Sequence, residues 1–119
     1  MDEEHRGALR VRQQLTVLFR ALDGQRIGRA LTKDIGVDGI CLITEGVLEP
    51  GTQLELQVRF PDREQPITLV AEVVWSSLLD QPAKSYEPPT AETGLKFVRI
   101  DPRDRSFIVQ YVTLNASPL

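Results

Sequence analysis

The sequence predicts an all-β fold, a small antiparallel barrel or curled sheet of six strands closed by one C-terminal helix. Three observations carry that expectation: runs of apolar residues alternating with period two, turn residues between them at regular intervals, and a single helix-start signature near the C-terminus. At 119 residues the chain is long enough to bury one core and too short for two.

Residues 1–12 show no apolar periodicity, only Leu9 and Val11 offer anchors, and they read as a flexible basic arm ahead of a barrel domain over 13–116. From Gln13 the run Leu15, Val17, Phe19, Ala21 alternates with polar neighbours as a strand. Asp23-Gly24 is a strong hairpin signal, and Gln25 to Ile35 returns as the second strand, with Gly28 weakening its middle. Gly39 to Thr44 is short and apolar, and Pro50-Gly51 turns the chain. Thr52 to Phe60 then places Leu54, Leu56, Val58 and Phe60 on one face and Gln53, Glu55, Gln57 and Arg59 on the other, the pattern of a strand with one wet face. Pro66 to Ser76 returns with Ile67, Leu69, Ala71, Val73 and Trp75 expected inward. Leu79 to Glu92, with three prolines and no periodicity, reads as a long loop, either a lid or a plain connection. Thr93 to Ile100 is the last strand. Asp101-Pro102 opens a helix over about 102–115, Asp as N-cap and Pro at the first helical position, with Ile108, Tyr111 and Val112 at helical spacing.

Charge narrows the function classes. Seventeen acidic and fourteen basic residues give a net −3, but His5 to Lys33 holds seven cations against Asp23 alone, a local +6. Such front-loading suits one small anionic ligand at the N-terminal segment or, equally, a solvated basic arm, while the net −3 argues against a nucleic-acid polymer held by backbone neutralisation alone. A single-strand-binding barrel would need an aromatic platform, and Phe, Tyr and Trp total only seven. Cys41 is the only cysteine, which leaves no disulfide and no thiolate metal cage, and it reads as core. The start M-D-E-E-H-R has no signal-peptide pattern and no apolar run approaches membrane-spanning length, so a cytoplasmic protein without membrane insertion is expected. An enzyme is not: His5 is the only histidine and lies on the arm, while Asp34 and Asp38 sit four apart across a turn and form no organised acid/base pair.

The most informative stretch is Thr32 to Cys41, T-K-D-I-G-V-D-G-I-C. Glycine reaches positive φ without steric cost and lets another group approach the backbone, so Gly36 and Gly39 mark a tight connection beside a candidate ligand. Asp34 at its mouth is placed to accept paired donors such as the amino edge of a guanine.

The order R-x-x-x-R (Arg6 to Arg10), D-x-G-x-x-G (Asp34 to Gly39), L-x-P-G-T (Leu48 to Thr52), A-E-V-V-W (Ala71 to Trp75) and T-G-L-K-F (Thr93 to Phe97) resembles the bacterial PilZ domain over nearly the whole chain. The resemblance implies a six-stranded antiparallel β-barrel of split-barrel type with a C-terminal helix. It also implies a receptor for cyclic di-GMP, without further cofactor or metal. Arg6 and Arg10 match the arginine motif that grips guanine edges and phosphates. Asp34 matches the acid that reads the guanine amino edge, and Gly39 the end of the second motif. Two positions depart from the pattern. Gly36 stands where the family has serine, removing a hydroxyl contact, and Gly7 stands where many members carry a second consecutive arginine, for which Arg12 is a candidate substitute. A stand-alone receptor of this kind relays its signal through an unidentified protein partner, in motility or a surface-related process, and a homodimer is allowed. The alternative implied by Gly36 is an interaction adaptor whose nucleotide binding is weakened or lost.

Overall fold

The computed structural model describes residues 9–24, 26–79 and 89–118. Six antiparallel strands close into a barrel: β2 (Thr16–Ala21), β3 (Ile27–Ile35), β4 (Gly39–Glu45), β5 (Gln53–Val58), β6 (Ile67–Leu78) and β7 (Thr90–Arg99), in spatial order β2-β3-β4-β7-β6-β5. Closure pairs β2 with β5, so neither strand is left as an open edge. Before the irregular stretch of β6, most inward residues are those the alternation selects. Val17, Leu42, Leu54, Leu56, Val58 and Ile67 are completely buried. Gly28 lies opposite Phe19 in the β2–β3 register, and a side chain there would strike the Phe19 ring, so the glycine that weakens β3 makes room for a core aromatic.

Helix α1 (Pro102–Asn115) is the expected helix, with the Asp101 side chain accepting from the Arg103 amide at 2.8 Å as N-cap. Its buried face, Ile108, Tyr111 and Val112, joins the core at the barrel end where β3 and β5 finish and β4 and β6 begin. Phe60 meets Phe107 and Tyr111 edge-on at 5.1 and 5.0 Å.

Four expectations need correction. The arm is not featureless up to residue 12: β1 (Leu9–Arg10) pairs with β8 (Ser117–Pro118), beyond the end of α1, and Val11 exchanges backbone hydrogen bonds with Ile35 at 2.8 and 3.0 Å. A two-residue strand has no periodicity to read. Second, the loop after β6 is shorter than Leu79 to Glu92, because β6 runs to Leu78 and β7 starts at Thr90, where Gly46 donates to the neighbouring Pro89 carbonyl. Most of the rest of that segment, like residues 1–8, lies outside the described residues. Third, Trp75 is not inward: it is 44% exposed. The β6–β7 register pairs Val73 with Leu95 but Trp75 with Gly94, so a bulge at Val74 reverses the facing of the strand beyond it. Ser76 then turns in, accepting from the Leu48 amide and bonding Thr93. Last, neither Gly36 nor Gly39 uses positive φ, a conformation that Gly24, Gly46 and Gly51 do adopt.

Candidate functional site

The D-x-G-x-x-G turn leaves β3 at Ile35 and enters β4 at Gly39, closed by a hydrogen bond from the Gly36 amide to the Gly39 carbonyl at 2.9 Å. Its glycines are there for space. A Cβ on Gly39 would stand 2.5 Å from the Leu95 carbonyl oxygen of β7, a backbone atom that cannot swing aside. A Cβ on Gly36 would stand 2.6 Å from a terminal nitrogen of Arg10. The arginine side chain thus lies in the notch that Gly36 leaves.

From that seat Arg10 reaches Asp34. Its Nε and Nη2 both donate to Oδ1, at 3.1 and 2.6 Å, and the pair is about three-quarters buried, with side chains 25% and 21% exposed. Asp34 is outward because a β-bulge between Thr32 and Asp34 resets the register of β3 against β4. Two motifs 24 residues apart are joined by one charge-assisted contact.

Beside the pair opens a cavity of about 470 Å³ over the outer faces of β4, β7 and β6. That is within the usual range for a small-molecule site. Arg10 and Leu9 form one wall, Val37, Asp38 and Gly39 another, and Cys41 lies at its base. Burial, reinforced by the Asp34 and Glu92 charges, pushes the Cys41 thiol up to about 11, which favours the neutral thiol. Across the cavity stand Trp75, Gly94 and Lys96. A side chain at Gly94 would collide with the indole, so the glycine lets Trp75 lie flat along the sheet and keep a half-exposed face. The cavity therefore offers a planar aromatic surface, a guanidinium and an ammonium, chemistry suited to a planar anionic ligand.

The expected site residues divide. Arg10, Asp34 and Gly36 are in mutual contact, and Gly39 lines the cavity. Arg6 lies outside the described residues. Arg12 is exposed and does not line the cavity. Asp38 does line it and receives a bond from Arg105 of α1 at 3.1 Å, so it is held by the helix and paired with no second carboxylate. Sequence reasoning missed Trp75, whose facing depends on the bulge, and Lys96. The one available signal was the pairing of two motifs, the tryptophan ending A-E-V-V-W and the glycine of T-G-L-K-F.

Besides its apolar packing, the helix is tied to this end of the barrel by polar contacts that include the Arg105–Asp38 pair and a hydrogen bond from the Tyr111 hydroxyl to the Gln13 side-chain oxygen, and by the β1–β8 pairing beyond its C-terminus. Among the described residues no cluster able to hold a metal occurs, and no helix is long and apolar enough to cross a membrane.

Comparison with known proteins agrees with the fold. Among solved structures the chain is similar to MotI/DgrA, the inhibitor of motility of Bacillus subtilis, with a TM-score of 0.71 and 22% identity over 93% of this chain and 50% of that one. It is similar to the PilZ domain of YcgR from Escherichia coli, solved with c-di-GMP, at a TM-score of 0.70 and 13% identity over 94% and 92%. It is also similar to MrkH of K. pneumonia, at a TM-score of 0.74 and 16% identity over 97% and 50%. The chain thus spans half the length of MotI and MrkH, and at these identities the likeness is one of fold. No match was found among the curated proteins. The PilZ domain model, however, matches residues 3–114, a span that runs from the arm through the barrel to the helix, and the chain belongs to the PilZ domain family.

Proposed function

We propose that the chain is a cyclic di-GMP receptor that signals to another protein, with Arg10, Asp34, Gly36 and Gly39 at the ligand and Arg6 supplying the second guanidinium. The single observation that carries the reading is the convergence of Arg10 and Asp34 beside a cavity walled by Trp75 and Lys96. The YcgR PilZ domain solved with c-di-GMP supports the choice of ligand. A guanine presents donors that suit a carboxylate and acceptors that suit a guanidinium. Arg10 and Asp34 satisfy one another, so ligand binding exchanges their mutual bonds for bonds to the nucleotide. Trp75 provides the stacking face and Lys96 faces phosphate. Arg12 stays outside the contact set.

The output passes to a partner, in motility or a surface-related behaviour, because the ligand-binding end of the barrel is also the end that α1 and β8 hold. Reorganising Arg10 disturbs β1, and with it the strand beyond the helix.

Isothermal titration with cyclic di-GMP tests this. Saturable binding is expected, and Arg10→Ala should weaken it at least about tenfold, the loss of one bidentate pair at roughly 1–3 kcal/mol. Absence of binding by the wild type would sink the reading. It would leave the adaptor, a second reading favoured by one specific observation: the Gly36 notch is filled by Arg10, which closes the site on itself.

A further inference from the structure

We infer that the outer face of β5, β2 and β3, on the far side of the barrel from the cavity, is a docking surface for an acidic, apolar-anchored segment of a partner protein. The inference rests on the reading of the chain as one that acts through a protein partner, but not on the identity of its ligand. In the barrel order this face lies across from β4-β7-β6, so an occupant here leaves the cavity open.

The surface is built around Arg29. On β3 its neighbours on the same face are Ile27 and Leu31, and across the β2–β3 ladder it pairs with Leu18. Those three apolar side chains are 75%, 41% and 45% exposed, a contiguous patch on regular strands rather than scattered loop residues. Shallow depressions flank it, and Arg29 lines three of them, the largest about 460 Å³.

Charge decides what fits. Elsewhere several exposed cations have carboxylate partners, as in Lys33–Glu92 at 2.9 Å and Arg105–Asp38 at 3.1 Å, while Arg12, Arg99 and Arg103 stand singly without an apolar ring of this kind. Here, among the described residues, Arg26 and Arg59 donate only to the Glu45 and Glu64 backbone carbonyls and Arg29 has no partner. With Arg20 held by Glu55, the depressions present four arginines against Glu45 and Glu55, a local +2 on a chain whose total is −3. An arginine ringed by exposed aliphatic groups is the composition of an interface anchor. Its complement is a carboxylate flanked by apolar side chains. A nucleic-acid backbone would leave Leu18, Ile27 and Leu31 facing phosphates, and a lipid surface would need apolar groups on a protruding loop or amphipathic helix.

The test is a photo-crosslinking benzophenone residue placed at position 31 of the full chain in its own cells, with position 114 on the helix, 74% exposed, as control. Crosslinked peptides are sequenced by mass spectrometry. The expected product is a protein segment carrying Asp or Glu among aliphatic residues. Arg29→Glu should lower its yield about tenfold or more, and Lys in place of the partner's carboxylate should restore it. Crosslinks to lipid, to nucleic acid, to a second copy of this chain or to a segment without carboxylates would overturn the inference. So would a yield no higher than at position 114 or indifferent to Arg29→Glu. Titration of Arg29→Glu with cyclic di-GMP separates the two readings: unchanged affinity is expected, and a chain that binds no nucleotide yet gives the acidic crosslink would sink the receptor reading alone.

Discussion

The turns at the two ends of the barrel use glycine for different reasons. At the end of the plain turns, Gly24 and Gly51 have φ of +87° and +92° with open space where a side chain would stand. At the other end, Gly36 and Gly39 have ordinary backbone angles and are crowded, one by an arginine and one by a carbonyl. The first kind solves a problem of chain reversal and the second a problem of close approach. The same letter in the sequence therefore carries a conformational meaning in one place and a spatial one in the other. Only the spatial kind borders the candidate site.

Substitutions can break or sharpen that contrast. The largest effect is expected at Gly39. Alanine there meets the Leu95 carbonyl at 2.5 Å, and the strand must move. A loss of about 1–3 kcal/mol, the usual cost of overpacking, should appear in urea unfolding. Asparagine, being larger, should be worse still. Gly24→Ala comes next, costing about 1–2 kcal/mol through backbone strain alone. There asparagine should recover part of the loss, since it tolerates the left-handed region. If asparagine fails to separate the two positions, the contrast is wrong.

Gly36 should show a smaller change in stability and a larger one in behaviour. The obstructing atom is the tip of a flexible side chain that can move aside, so Gly36→Ala should change unfolding free energy by less than the overpacking cost at Gly39, about 1 kcal/mol or below. It should nevertheless unseat Arg10, read as faster hydrogen exchange at the Val11 and Ile35 amides that tie the arm to β3. Gly36→Ser unseats the arginine equally and adds a hydroxyl. Tighter cyclic di-GMP binding by serine but not alanine, by up to roughly tenfold, would assign the gain to the hydroxyl. Equal gains would assign it to release of Arg10 from Asp34.

The smallest effect under ordinary buffers concerns Cys41. Its folded pKa, raised from 9.0 to about 11, means the folded chain keeps a proton that the unfolded chain gives up in that window. Stability is undiminished below about 9, where the thiol is protonated in both states, and should decline as pH rises from there through about 11. Cys41→Ser should flatten that decline in alkaline thermal melts. Alkylation of the native thiol should likewise be slow at neutral pH.

Much of the architecture was legible because alternation is a direct imprint of facing. Leu54, Leu56, Val58 and Phe60 are all buried, and the helix from Pro102 to Asn115 follows from its cap and its apolar spacing. Trp75 was not legible, since a bulge leaves no mark in composition and a one-residue slip reverses the faces beyond it. The Arg10–Asp34 pair shows another limit. Nothing local links residues 24 apart, and only the resemblance of both motifs to one family placed them at a common site. The β1–β8 pairing was invisible because two residues cannot establish a period.

The helix grips the motif turn through Arg105–Asp38, the approach to β2 through Tyr111–Gln13, and the arginine strand through β8. Binding equilibria linked through a shared element are reciprocal: if a ligand at the Arg10–Asp34 site shifts α1 between two positions, any molecule that prefers one of those positions changes the ligand's affinity by the same factor. The helix then acts in both directions, as a pointer that reports the site and as a dial that sets it.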